Sequence, residues 1–224
     1  MQLSLTEQFT LIALNDEKGR FVSDPTYLDN GLAGATLLEL GLLNRIDWVD
    51  NIVKVKDDSP LGIPILDQSL MAIKKEKPSK ISHWIGVLNA NAGNIKHVTL
   101  KTLRDKGIIE KKEGKVLWIF NYNKYPTKND QPENKIRERL KDIVLEVKVP
   151  DEKDLMLLGL IRVCQLVREA FREKEVRKRA RAWYKKQSSD SKVTKAVAST
   201  IQELEAAVMA ATMAAVMTST TAVT

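Results

Sequence analysis

The apolar positions in the first half of the chain fall into short helical stripes separated by turn residues. Leu3, Leu5, Phe9, Ile12 and Ala13 share one helical face, with Ser4 or Thr6 placed to cap its start. Asn15 to Arg20 is turn chemistry. Asn30 to Gly34 (NGLAG) reads as a connection before an apolar helix over Ala35 to Leu40, which Gly41 ends as a C′ residue. Ile46 to Lys56 alternates loosely and ends in VKVK, the pattern of a solvent-facing strand. DDSPLG predicts a turn, Ile63 to Leu66 a short returning strand, and Asp67 the cap of a helix that ends before Pro78. Ser79 to Leu88 predicts a helix carrying Trp84, broken by Asn89 to Gly93.

Ile95 to Lys106 reads as a helix ending at Gly107, followed by Ile108 and Ile109, the polar turn EKKEGK and the strand Val116 to Phe120 with Trp118. Both tryptophans sit in apolar patterns and are expected to pack. LLELGLLNRI (Leu37 to Ile46) and LRDKGIIEKK (Leu103 to Lys112) share a helix–Gly–apolar grammar, read as one local solution used twice rather than a repeat. After a loop over Asn121 to Pro132 the pattern is wholly helical. Ile136, Leu140, Ile143, Val144 and Val147 form an amphipathic stripe. Asp151 or Asp154 then starts a helix apolar on most sides from Leu155 to Val167, the pattern of a central, buried helix. Arg168 to Lys186 carries nine Lys or Arg against three Glu, Ser188 to Ser191 is a break, and a last helix runs from about Lys192 to Met217. These elements predict a mainly α fold: a single globular helical domain over 1–217 with small β-hairpins and a frayed tail over 218–224.

Composition narrows the class. The chain has 224 residues, 43% hydrophobic and 29% charged, a globular balance. A net charge of +7 favours anionic partners without choosing among nucleic acid, acidic lipid and acidic protein. The N-terminus lacks the basic and apolar regions of a signal peptide. The uncharged stretch Ala206 to Met217 falls short of the ~20 residues a membrane span needs, and its alanines suit close helix packing. The lone Cys164, among Leu160, Ile161 and Val163, reads as a buried inert thiol in a reducing, cytoplasmic compartment.

Catalytic chemistry is hard to find. His83 and His97 have no ligand-like neighbours at metal spacing and read as solvated. Phosphate-loop, dinucleotide, nucleophile-elbow and zinc-protease motifs are all absent. The expectation is a binding protein without a cofactor, not an enzyme. The unit from Ile95 to Phe120 has the shape of the second half of a winged helix, a nucleic-acid reading in which Lys96, Lys101, Arg104 and Lys106 would face the major groove.

A second reading comes from ordered similarity along the chain. LSLTEQFTLIALNDEKG (Leu3 to Gly19), NGLAGATLLELGLLNRI (Asn30 to Ile46), PILDQSLMAIKKEKP (Pro64 to Pro78) and HWIGVL (His83 to Leu88) carry its first half. LRDKGIIEKKEGKVLWIF (Leu103 to Phe120), NKIRERLKDIVL (Asn134 to Leu145) and KDLMLLGLIRVCQLVREAF (Lys153 to Phe171) carry the second. Together they resemble the Golgi phosphoprotein 3 family (GPP34-type domain), and the absence of a long leader suits a bacterial-type member. The resemblance implies a mostly α-helical domain that is peripheral on a membrane as an adaptor, with protein clients. In eukaryotic members the ligand is phosphatidylinositol 4-phosphate. A β-hairpin that mediates homo-oligomerisation there corresponds to roughly Asp47 to Leu66 here. The family's headgroup pocket uses a Trp and three Arg. Here those positions are Asp24, Ala33, Gly93 and Lys96, so only Lys96 keeps a charge. An Arg holds phosphate in a fork whereas a Lys acts as a point charge, so selective phosphoinositide binding is not expected.

The resulting expectation is an adaptor on anionic phospholipid membranes, with nucleic acid the less favoured partner. Lys96, Lys101 and Arg104 are the headgroup-binding candidates, and reversing all three charges should leave stability nearly unchanged. A competing surface is the stretch Arg172 to Lys186, where Arg177 to Lys186 adds Trp183 and Tyr184, which would suit an interface.

Overall fold

The computed structural model describes residues 2–116, 120–187 and 202–213. Its first half contains α1 (Leu5–Ala13), α2 (Pro25–Leu42), β1 (Ile46–Val49), β2 (Ile52–Val55), α3 (Pro64–Lys75), β3 (Ser79–Lys80), α4 (Ile81–Asn89) and α5 (Ala92–Asp105). Then follow β4 (Lys112–Val116), β5 (Phe120–Lys124), α6 (Gln131–Val144), α7 (Glu152–Val163), the short α8 (Val167–Ala170) and α9 (Lys174–Gln187). Residues 202–213 form a further helix, α10. The architecture is mainly α with small antiparallel β elements, as the pattern predicts. Trp118, the break at Ser188 to Ser191, the first part of the last helix and the tail lie outside the described residues.

Helix α1 starts where its cap chemistry dictates. Ser4 Oγ accepts from Glu7 N at 3.1 Å while the Glu7 carboxylate accepts from Ser4 N at 2.7 Å, a reciprocal capping box. Its apolar stripe is buried, with Phe9 and Ile12 fully inside.

Helix α2 is the hub, packing against α1, α3, α4, α5, α7 and β1. It corrects the sequence reading twice. Asp24, not the NGLAG segment, marks its start: the Asp24 carboxylate accepts from Thr26 N at 2.9 Å and Pro25 opens the first turn. NGLAG lies inside the helix because its glycines are contact points. A Cβ on Gly31 would lie 2.5 Å from Phe9 Cζ and 2.6 Å from Cys164 Sγ. Gly41 also stays helical, with the Trp48 ring where its Cβ would be, whereas Gly107 has φ +70 beyond the end of α5. Each mid-helix glycine costs roughly 1 kcal/mol of propensity, which close packing offsets. The two Gly-centred segments therefore do not share a conformation. Asn30, fully buried, donates to Thr212 Oγ1 at 3.0 Å and accepts from Asn89 Nδ2 at 2.6 Å, tying α10 and α4 to α2.

The strand over Ile46 to Lys56 is a hairpin. Val49 pairs with Ile52 across Asp50 and Asn51, both at positive φ (53 and 63), as a two-residue type I′ turn requires. β3 adds to its β2 edge. The returning strand expected at Ile63 to Leu66 is the start of α3, because Pro64 fits the first helical turn. Asp67 sits inside that turn and accepts from Leu61 N at 2.7 Å. EKKEGK is not the hairpin turn: its last four residues lie in β4, and Lys112–Val116 and Phe120–Lys124 are the paired strands. Trp84 is fully buried, as expected.

In the second half, Ile136, Leu140, Ile143 and Val144 form the buried stripe of α6, but Val147 lies past its end and is 75% exposed. Glu146 at φ +59 turns the chain away before it. Asp151 and Asp154 form a second capping box on α7, whose residues Leu155 to Ile161 are all buried. That helix ends at Val163, short of the expected Val167, because Gln165 adopts φ +60.

Beside α6 lies a buried charge network. Glu133, 2% exposed, accepts from Arg137 Nε at 2.8 Å and lies 3.7 Å from Arg172, which also pairs with Asp16. Burial, reinforced by Asp16 and opposed by Arg137, pushes the Glu133 carboxyl from 4.5 up to about 7.

Candidate functional site

Helix α5 carries all three candidate cations but does not present them together. Its buried side, with Ile95, Thr99 and Leu103, packs into the core. On a 3.6-residue helix, Lys96 and Lys101 point about 140° apart. Lys96 faces α2, where Nζ lies 2.9 Å from Asp29 Oδ1, a close ion pair without hydrogen-bond alignment, and 5.6 Å from the Phe21 ring centroid. Lys101 and Arg104 face the β4–β5 hairpin. There they line a shallow concavity of about 230 Å³ with His97, Lys111, Asn123 and Tyr125.

This concavity is basic but largely compensated. Lys101 Nζ donates to Asp105 Oδ2 at 2.9 Å, Arg104 lies 3.6 Å from Asp105 Oδ1, and Lys111 pairs with Glu113 at 2.8 Å. The hydrogen bond from Lys101 holds the Asp105 carboxyl below its usual range, so it stays charged. Arg104 and Asp105 also belong to the last turn of α5. There a cation offsets the negative end of the helix dipole, and a bound anion would be repelled by it. Sequence reasoning missed His97, Lys111, Asn123 and Tyr125 as neighbours, because the hairpin was placed too early in the chain, with EKKEGK as its turn and Val116 to Phe120 as its second strand.

The positions that the resemblance assigns to a headgroup pocket hold other roles here. Asp24 caps α2, Ala33 is fully buried, and a Cβ on Gly93 would meet open space. Lys96, the remaining cation, is bound to Asp29.

A second concavity, of about 650 Å³, lies between α1, α3 and α5. Glu7 and Glu39 on its wall are matched by Lys106 (2.5 Å from Glu7) and Lys153 (3.7 Å from Glu39). Burial raises the Glu39 carboxyl above its usual range. Its charges are balanced within the fold.

The competing basic surface also differs from expectation. Trp183 and Tyr184 face inward, 7% and 8% exposed, and Tyr184 Oη donates to Leu158 O at 2.9 Å. A buried aromatic pair, with Tyr184 bonded to α7, cannot serve as an interfacial belt. Cys164 is fully buried, which pushes its thiol up to about 12, in agreement with an inert role. His83 is exposed and pairs with Glu76 at 2.9 Å; His97 is exposed. Among the described residues no helix is long and apolar enough to cross a membrane.

Comparison with known proteins bears on what these surfaces serve. Residues 5–204 match the family model described as Golgi phosphoprotein 3 (GPP34). The chain is 26% identical over 179 residues to a vacuolar protein sorting-associated protein 74 from Eremothecium gossypii. That alignment covers 70% of this chain and 53% of the relative, so the chain spans about half the length of the curated relative it matches. With nearly every described helix inside the matched region, the chain belongs to the Golgi phosphoprotein 3 family.

Proposed function

We propose that this protein is a peripheral adaptor that binds anionic phospholipid headgroups at the cytoplasmic face of a membrane and acts by binding, not catalysis. Membership of the family carries the proposal. The name of its relative, which refers to vacuolar protein sorting, points to work on membranes. The net charge of +7 supplies the attraction.

Selectivity for phosphatidylinositol 4-phosphate is not part of this reading, because the pocket positions carry a cap, a buried alanine, a glycine and a lysine neutralised by Asp29. Lys101 and Arg104 contribute diffuse attraction of about 1 kcal/mol each at most, lowered by Asp105. Lys96 contributes only when its pair with Asp29 opens. Protein clients and self-association belong to the same proposal. The β1–β2 hairpin, with Val49 58% exposed, is the surface that self-association would use.

Co-sedimentation with phosphatidylcholine vesicles, alone or with phosphatidylserine or phosphatidylinositol 4-phosphate at matched charge, tests it beside a duplex-DNA shift assay. Binding should follow anionic content with no phosphoinositide preference beyond charge. Failure to bind any anionic vesicle, or sequence-selective duplex binding of ~10³ over bulk DNA, would overturn it.

A further inference from the structure

Helix α9 exposes a set of cations that no described acid engages. Lys174, Lys178 and Arg181 recur at i, i+4 and i+7, one stripe of the helix, opposite the buried Val176, Ala180, Trp183 and Tyr184. None of Lys174, Lys178, Arg179 and Arg181 forms an ion pair with a described residue. The nearby acids are committed elsewhere or not engaged: Glu173 pairs with Lys141 at 2.6 Å. On α5, by contrast, Lys96, Lys101, Arg104 and Lys106 each have a carboxylate partner.

A second feature meets this helix. The loop after α6 exposes two valines, Val147 (75%) and Val149 (87%), either side of the exposed Lys148. Lys186 near the end of α9 reaches Glu146 in that loop at 2.5 Å, so the basic helix and the apolar knuckle are neighbours. Exposed apolar side chains gain nothing from water, and a phosphate backbone offers them no apolar partner. The boundary between headgroups and acyl chains satisfies both parts: anionic headgroups for the lysines and arginines, and the acyl boundary for the valines.

We propose that the exposed stripe of α9, together with Val147 and Val149, is the face that docks on an anionic bilayer. This deepens the adaptor reading and rests on it. The cations give long-range, salt-sensitive attraction, and the valines give a shallow insertion that fixes the orientation. Arg177 is not part of the set, because it donates to the carbonyls of Phe171 (3.0 Å) and Arg172 (2.6 Å) and secures the turn before α9.

The test uses the full chain, vesicles of phosphatidylcholine with and without phosphatidylserine, and duplex DNA at the same salt. Substitution K174Q/K178Q/R181Q should lower partitioning onto phosphatidylserine vesicles by about 100-fold. V147S/V149S should lower it several-fold and leave any DNA binding unchanged. Both variants should melt as the wild type does, since the changed side chains are exposed. If wild type binds the vesicles and the charge variant binds equally well, this face is not the dock and the adaptor reading stands. If wild type binds no anionic vesicle, the adaptor reading itself fails and takes this proposal with it. Tighter binding to duplex than to vesicles, with the valine change without effect on either, would make the stripe a nucleic-acid surface and overturn the proposal.

Discussion

Lys96 and Asp29 form an ion pair of 2.9 Å between α5 and α2, each side chain less than a third exposed (29% and 27%). The one cation among the positions that the resemblance assigns to a headgroup pocket is therefore held by a carboxylate of its own fold. A headgroup phosphate would have to displace Asp29 to reach it.

Removing the competitor should release the cation. Asp29→Asn is expected to raise binding to phosphatidylserine vesicles several-fold at low salt, read by co-sedimentation. Lys96→Glu should do more than weaken binding. It sets two carboxylates beside each other at a half-buried site, for a cost of about 1–2 kcal/mol, visible as a lower Tm. The expectation that reversing all three α5 charges leaves stability unchanged therefore fails at Lys96, while Lys101 and Arg104, more exposed, should tolerate reversal. An unchanged Tm for Lys96→Glu would show that the pair contributes nothing.

Gly31 is a packing requirement. Alanine there drives a methyl into Phe9 and Cys164, at 2.5 and 2.6 Å. We expect Gly31→Ala to destabilise by about 1–3 kcal/mol despite alanine's better helix propensity. Denaturant unfolding at fixed m reads the effect. Stabilisation would mean that the contact relaxes freely.

Glu133 should give stability a pH slope. Its folded-state carboxyl is raised from 4.5 to about 7, so between those values the native state holds more protons than the unfolded chain. Unfolding free energy should then fall as pH rises through that window, by about 1–3 kcal/mol, and level off above it. Glu133→Gln keeps an acceptor for Arg137 and should flatten this slope. A wild-type slope of the opposite sign would show that Arg137 and Arg172 outweigh desolvation.

Much of the fold was legible in the chain. The capping residues Ser4 and Asp151, each one of two candidates the chain offered (beside Thr6 and Asp154), the stripe of Ile136, Leu140 and Ile143, and the all-round apolar α7 follow from local side-chain chemistry and helical period, which the sequence encodes directly. The buried inert state of Cys164 followed from its apolar neighbours. The two hairpins were harder. Asp50 and Asn51 form a tight turn with no glycine to mark it, and the β4 segment is polar, with no alternation to separate strand from turn.

The candidate site divided along the same line. That Lys96, Lys101 and Arg104 share one helix could be read from spacing, and the resemblance implies that the Arg positions of a headgroup pocket are not Arg here. Whether a cation is available to a ligand could not, because that depends on which carboxylate the fold brings to it. Asp29 reaches Lys96 from α2, while Lys178, Arg179 and Arg181 have no acid partner among the described residues. Nor does an alternation of apolar and basic residues say which aromatics face inward: Trp183 and Tyr184 are buried because α9 packs on its neighbouring helices, with Tyr184 bonded to α7. The sequence by itself determined the helical elements, the family and the total charge, since these depend on neighbours in the chain. Tertiary structure alone decided where that charge remains uncompensated, because ion pairing and burial act through space between residues far apart in sequence.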